Sequence, residues 1–150
     1  MNQVVVKQEK SGYQIVEAYK SLRTNLQFCG EDKKVIAITS CTPNEGKSSV
    51  SMQLGISLAE IGKRVILIDA DLRKSVLLGR TKTEKSVRGL AHFLSGQASL
   101  EDVICATNIK NFYMIYSGPF PPNPAELLGG KNFRSLLNAL RKVYDYVIVD

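Results

Sequence analysis

Residues 41–49 read CTPNEGKSS, and within them Gly46, Lys47 and Ser48 form a G-K-S step. The spacing fits the phosphate loop G-x-x-x-x-G-K-[ST], with Cys41 where the first glycine would stand. Successive N–H groups from Asn44 to Ser49 can wrap a diphosphate, helped by the N-terminus of a following helix. Gly46 lets the main chain approach without a Cβ, Lys47 can reach the β- and γ-phosphate oxygens, and Ser48 can ligate Mg²⁺. Thr42, Asn44, Glu45, Gly46, Lys47, Ser48 and Ser49 are therefore the candidate nucleotide-binding set. A chance G-K-S at a helix start is the competing reading.

A second group of residues bears on that choice. The segment ILIDADLR carries Asp69 and Asp71 at the end of an apolar run. Open α/β sheets place their ligands at such strand ends. Spacing by two points both carboxylates the same way if the strand continues. Two like charges beside a phosphate site call for a cation, and Mg²⁺ suits them. One carboxylate can hold the metal while the other accepts a proton from an incoming hydroxyl. A polar strand end that caps the next helix is the alternative. Asp150 ends a third apolar run, YVIVD. It fits a Walker B carboxylate that binds Mg²⁺ directly or through water. The catalytic candidates are Lys47, Asp69 and Asp71; the metal candidates are Ser48, Asp71 and Asp150.

Positioning these groups requires strands and helices in alternation. Ile15, Tyr19, Leu22 and Leu26 recur at helical spacing, so residues 13–28 predict an amphipathic helix. VIAIT (35–39) reads as a buried strand. A helix follows from about Lys47 to Ile61, with Val50, Leu54, Leu58 and Ile61 on one face and Gly62 as its C′ residue. RVILID (64–69) and FYMIYSG (112–118) read as further strands. VRGLAHFLSG and SLEDVICAT read as two short helices joined by Gly96, the second with Ser99 as N-cap and Asp102 at N3. Asn123, Pro124 and Glu126 mark a helix start, and a helix over about 131–142 leads to the last strand. Apolar strands separated by helices predict one α/β domain over 1–150, a three-layer P-loop NTPase fold whose mainly parallel sheet is covered by helices on both faces.

Composition narrows the class. At 150 residues, 44% hydrophobic and 23% charged, the chain can bury a full core. No apolar run approaches the roughly 20 residues that span a membrane, and the polar N-terminus is unlike a secretory signal. The net charge of +6 favours polyanionic partners but comes without a dense basic block. Three separated cysteines, with no C-x-x-C pair, argue against disulfides or zinc and for a reducing cytoplasm. Because the chain stops on a core strand, Asp150 reads as a truncation point. Missing strands would then leave a marginal or self-associating domain.

Taken together, SCTPNEGKSS, VILIDADLRKS and YDYVIVD resemble the Walker A, A′ and B motifs of bacterial tyrosine kinases, the P-loop enzymes of capsular and exopolysaccharide synthesis. EAYKSLRTNL (17–26) is similar to that family's E-x-x-R-x-x-R helix, and GPFPPNPAELL (118–128) to its G-P-x-P-P-N-P-x-E-L-L segment. GLAHFLSG followed by LEDVI also fits. The resemblance runs from about residue 13 to 150. It implies ATP- and Mg²⁺-dependent phosphorylation of protein tyrosines, largely on a Tyr-rich tail of a neighbouring subunit. It also implies ring-shaped homo-oligomers contacting through Glu17, Lys20 and Arg23, and a membrane polysaccharide co-polymerase as activator. The chain would then be cytoplasmic, peripheral at the inner face of the plasma membrane, with no nucleic-acid partner. Departures from the pattern are Asn44 for a loop glycine, Lys20 for an arginine, and six tyrosines scattered rather than clustered.

Other classes fit less well. Partitioning and septum-site ATPases, nucleotide-dependent dimer switches, usually carry a lysine early in the loop, where Thr42 stands here. An iron–sulfur carrier ATPase would want a C-x-x-C. Glu17 and Lys20 can pair on an exposed face, leaving Arg23 to find a partner elsewhere. His92 reads as a packing residue, and Cys41 as a small residue filling a tight turn.

Overall fold

The structure, a computed structural model, describes residues 1–6, 12–32, 34–39, 47–72, 81–83, 87–119 and 121–150, with the backbone alone at 47, 48 and 81–83. The strands are β1 (Asn2–Val6), β2 (Val35–Ala37), β3 (Val65–Ile68), β4 (Thr81–Thr83), β5 (Cys105–Thr107), β6 (Phe112–Ile115) and β7 (Tyr146–Val149). The helices are α1 (Tyr13–Phe28), α2 (Lys47–Glu60), α3 (Leu90–Leu94), α4 (Leu100–Val103), α5 (Pro124–Gly129) and α6 (Lys131–Val143).

These strands form one sheet in the order β2-β7-β3-β6-β5-β1-β4. The block β2, β7, β3 and β6 is parallel throughout. β5 then turns antiparallel to β6, β1 runs parallel with β5, and β4 closes the far edge antiparallel to β1. The sheet is thus mainly parallel, as expected. β3 and β7 lie inside the parallel block and are covered on both faces, which explains their unbroken apolar sequences.

Alternation along the strands divides the core in two. Val65, Leu67 and Ile148 face α2, where Met52, Leu54, Ile56, Leu58 and Ala59 meet them. Ile66, Ile68 and Val147 face the other way, against Leu90, Leu94, Leu136 and Leu140 of α3 and α6. Helices therefore cover both faces of the sheet, and the three-layer expectation holds.

Several elements differ from the sequence reading. SLEDVICAT is not one helix: α4 ends at Val103, and Cys105–Thr107 become β5. Pairing with β1 and β6 captures these three residues, because their backbone groups find sheet partners on both sides. β1 and β4 have no counterpart in the sequence reading; each is defined by its partner strand rather than by its own pattern. Ile61, one residue past the end of α2, is exposed rather than on its core face. The helix is buried nearly all round instead, and Gly62 ends it at φ +89°.

Candidate functional site

The parallel block brings four strand ends to one edge of the sheet. Beyond the paired Ile68 and Val149, the ladder continues by one residue on each strand. Asp150 donates its N–H to the Ile68 carbonyl at 2.9 Å, and Ala70 donates to the Asp150 carbonyl at 3.0 Å. The Asp69 N–H in turn reaches Ile115 of β6 at 2.8 Å, and Ile38 extends β2 by donating to Val149 at 2.8 Å. Main-chain bonds thus set Asp69 and Asp150 side by side, with the parity of Leu67 and Ile148, facing α2.

Both carboxylates are withdrawn from solvent, Asp69 at 0% and Asp150 at 7% exposure. Burial of ionised groups is tolerated only when they are hydrogen-bonded or paired. Asp69 Oδ1 accepts the Asp71 N–H at 3.1 Å, a tight turn that carries the chain out of the strand. Asp71 follows, partly buried, beyond the end of β3. Ser51 Oγ, fully buried one turn into α2, donates to Asp150 Oδ1 at 2.8 Å.

The phosphate-loop candidates divide at the start of that helix. Lys47 and Ser48 form its first backbone positions, and Ser49 is half-buried within its first turn. Thr42, Asn44, Glu45 and Gly46 lie outside the described residues, as does Cys41. The described part joins the N-terminus of α2 to the two aspartates through the Ser51–Asp150 bond.

Oxygen donors of this kind match a hard cation. Mg²⁺ is commonly held by one or two carboxylates together with phosphate and water oxygens rather than by a closed protein cage. Asp69 and Asp150, with Asp71 partly buried just beyond them, present hard oxygens and no soft ligand, so the donor chemistry fits. Among the described residues, no three His, Cys, Asp or Glu side chains cluster closely enough to hold an ion by themselves.

Ser51 was missed in the sequence. Nothing local marked it, because its hydrogen bond is to a residue 99 positions away. The residues Glu17, Lys20 and Arg23 lie on α1, away from the strand ends. Lys20 pairs with Glu17 at 3.4 Å on the surface, as their i,i+3 spacing allows. Arg23 finds its partner on α2, donating to the Ser57 carbonyl at 3.0 Å and to its Oγ at 3.2 Å. His92 is structural: its Nδ1 accepts the Gly89 N–H at 2.9 Å and caps α3. Asn123 precedes α5, but its side chain makes no cap hydrogen bond and reaches Glu126 instead, at 3.4 Å.

Comparison with known proteins bears on the family and the fold. A family model described as AAA domain matches residues 33–150. Tyrosine-protein kinase CpsD of Streptococcus agalactiae is 43% identical over 134 residues, covering 89% of this chain and 58% of that protein. The kinase domain of the Escherichia coli tyrosine kinase ETK superposes with a TM-score of 0.84 at 38% identity, over 90% of this chain and 53% of that one. The septum site-determining protein MinD of Pyrococcus horikoshii, complexed with Mg-ADP, superposes less fully, with a TM-score of 0.64 at 28% identity over 78% of this chain and 48% of that one. The chain spans a little over half the length of the curated kinase. The P-loop fold and the kinship with bacterial tyrosine kinases read from the motifs are both borne out.

Proposed function

The chain belongs to the AAA domain family of nucleotide-binding P-loop proteins, and from that premise we propose that it is the ATP-binding domain of a protein-tyrosine kinase regulating capsular or exopolysaccharide synthesis. The observation that carries this reading is the placement of Asp69 and Asp150 at neighbouring strand ends, tied to the helix that begins at Lys47. Kinase relatives match the chain over more of its length, and superpose more fully, than the septum-site protein.

The proposed roles follow from the geometry and the motif. The main chain from Asn44 to Ser49 would cradle the phosphates, with Lys47 neutralising the β- and γ-oxygens. Ser48, Asp71 and Asp150 would hold Mg²⁺, which would supply charge neutralisation to the phosphates. A substrate tyrosine Oη attacks the γ-phosphorus, the bond from that phosphorus to the β–γ bridging oxygen breaks, and ADP leaves with the electron pair. Asp69 or Asp71 takes the phenolic proton. The exclusion of water around Asp69 strengthens each of these electrostatic contacts.

The same reading extends to partners. It takes 1–150 as one kinase domain, with α1 as the helix through which copies of the full-length protein assemble into a ring by way of Glu17, Lys20 and Arg23. A membrane polysaccharide co-polymerase would hold it at the inner face of the plasma membrane. Among the described residues no helix is long and apolar enough to cross the bilayer itself.

To test the reading, the longest natural form is incubated with Mg·ATP and its membrane activator and probed for phosphotyrosine. Signal that persists in Lys47→Met sinks the mechanism. ATP hydrolysis with no phosphotyrosine favours a nucleotide-dependent switch of the MinD type.

A further inference from the structure

We propose that Tyr13 is a phosphorylation site for the chain's own kinase activity, an acceptor tyrosine carried by the domain itself. The inference rests on the kinase reading above and turns on which tyrosines an active site can reach.

A tyrosine accepts phosphate only when its Oη enters the enzyme's cleft and lines up with the γ-phosphorus. Its ring must therefore leave whatever it packs against. Residues 1–150 hold six tyrosines, and burial separates them. Tyr116, Tyr144 and Tyr146 are buried. Tyr113 is half-buried, its ring 5.4 Å from that of Tyr144 in an edge contact, with the Arg64 guanidinium over both rings. Tyr19 is half-buried on α1, where it lines a groove with Gln53 and Ile56 of α2, and burial pushes its phenol pKa up. Tyr13 stands apart at 79% exposure.

The backbone around Tyr13 is also easy to open. It is the first residue of α1, behind Gly12, which provides no side-chain cap and whose surroundings are empty within 4 Å of a built Cβ. The N–H groups of Ile15 and Val16 both bond the Gly12 carbonyl at 3.1 Å. A helix end held only by its own main chain frays at low cost. Tyr13 can thus be drawn out in an extended segment while Tyr19, Arg23 and Leu26 keep the rest of α1 on the fold.

In the transfer, Tyr13 Oη attacks the γ-phosphorus of ATP and the bond from that phosphorus to the β–γ bridging oxygen breaks. ADP leaves with the electron pair, and the phenolic proton passes to the carboxylate base of the site. The product carries a charge of about −1.5 to −2 at neutral pH. Tyr13, Glu17 and Lys20 fall on one stripe of α1, at i, i+4 and i+7. The first turn holds no acidic residue, so a dianion there complements the helix dipole. One turn on it meets Glu17 as a like charge, beside the Glu17–Lys20 pair. Phosphorylation therefore recharges this stripe and leaves the packed face of the helix alone.

The sequence supplies its own control. Trypsin cuts after Lys10 and Lys20, so one peptide carries both Tyr13 and Tyr19, and fragment ions in a mass spectrum tell them apart. The longest natural form is incubated with Mg·ATP and its membrane activator, alongside Lys47→Met and Tyr13→Phe. The expected result is at least about tenfold more phosphate on Tyr13 than on Tyr19, since modification of a packed residue follows the small population of its open form. Lys47→Met should leave the peptide unmodified. Tyr13→Phe should remove its phosphate while keeping the wild-type circular dichroism spectrum, because the ring packs on nothing that folding needs.

The proposal is overturned if phosphotyrosine forms elsewhere in the protein while this peptide stays unmodified, which leaves the kinase reading intact. Equal phosphate on Tyr13 and Tyr19, or phosphate on Tyr13 that persists in Lys47→Met, overturns it as well. A wild type with no phosphotyrosine anywhere sinks the kinase reading itself, and this inference with it.

Discussion

Asp69 and Asp150 stand next to each other at the C-terminal ends of β3 and β7, one residue past the paired Ile68 and Val149, both facing α2. They are 81 positions apart in the sequence. Parallel pairing brings them together, and the inward parity of both strands buries them. Buried carboxylates must be hydrogen-bonded or paired, and the Asp71 N–H and the Ser51 hydroxyl meet part of that need.

Asp69→Asn tests that relationship. Asparagine preserves the volume and an acceptor oxygen for the Asp71 N–H, while removing one of the two neighbouring charges. The thermal midpoint in EDTA should therefore hold within about 2 °C, equivalent to under roughly 1 kcal/mol for a domain of this size. Mg²⁺-dependent phosphotransfer should fall by about 100-fold or more, the scale for losing a group aimed at the reacting centre. A variant that unfolds and one that is folded but inactive are separated by circular dichroism on the same sample.

Arg23 gives a different kind of prediction, because its guanidinium ties α1 to the rest of the fold through two hydrogen bonds to Ser57. No residue of α1 is buried, and Tyr13, Ile15, Leu22 and Phe28 are exposed. Removing the guanidinium leaves Leu26 and Tyr19 to hold the helix. Arg23→Ala should lower the local opening energy of α1 by about 1.5 kcal/mol, as expected for a lost hydrogen bond to a charged donor. Hydrogen exchange would show faster exchange over residues 13–28 with β3 and β7 unchanged. Equal acceleration in the sheet would contradict this picture.

Gly55 is a packing device on α2. A Cβ built there would lie 2.5 Å from Cε1 of Phe112, which is itself 1% exposed on β6. Gly55→Ala gains helix propensity of up to about 1 kcal/mol but forces the ring or the helix to shift. The net expectation is destabilisation by about 1–2 kcal/mol. Urea unfolding should show a lower midpoint at unchanged slope. A midpoint at or above the wild-type value would mean that the ring yields freely.

Sequence patterns and structure part company in a physically consistent way. β3, β6 and β7 were legible because their apolar runs record burial directly, and α1 and α2 because apolar residues recur at helical spacing, although α1 buries none of its own. β1, β4 and β5 were not, since each mixes polar residues into its strand and is defined by partners that no local window contains. The same holds at the site. Asp69, Asp71 and Asp150 announced themselves as carboxylates ending apolar runs. Ser51 did not, because its hydrogen bond depends on Asp150 approaching from 99 residues away. Arg23 lay between these cases: the helix was visible, but its partner Ser57 was a matter of packing.

Alkaline pH should expose a weakness centred on Cys105. This thiol is fully buried on β5, and burial pushes its pKa up from 9.0 to about 11. Burial likewise raises the phenols of Tyr144 and Tyr146 above 10.0. In each case the folded state keeps its proton longer than the unfolded chain does. The stability linked to Cys105 is therefore fully present below about pH 9 and is lost as the pH rises toward about 11. A rise of that size is worth at most about 2–3 kcal/mol. Urea midpoints should fall between about pH 8 and about pH 10.5 in the wild type, and Cys105→Ala should show a shallower decline. The tyrosines would account for what slope remains, at the upper end of that range. Thiol labelling gives a matching check at neutral pH, since the exposed Cys29 should react readily and Cys105 only on unfolding. A wild type whose stability is flat up to about pH 10.5 would show that the Cys105 thiolate is accommodated in the fold.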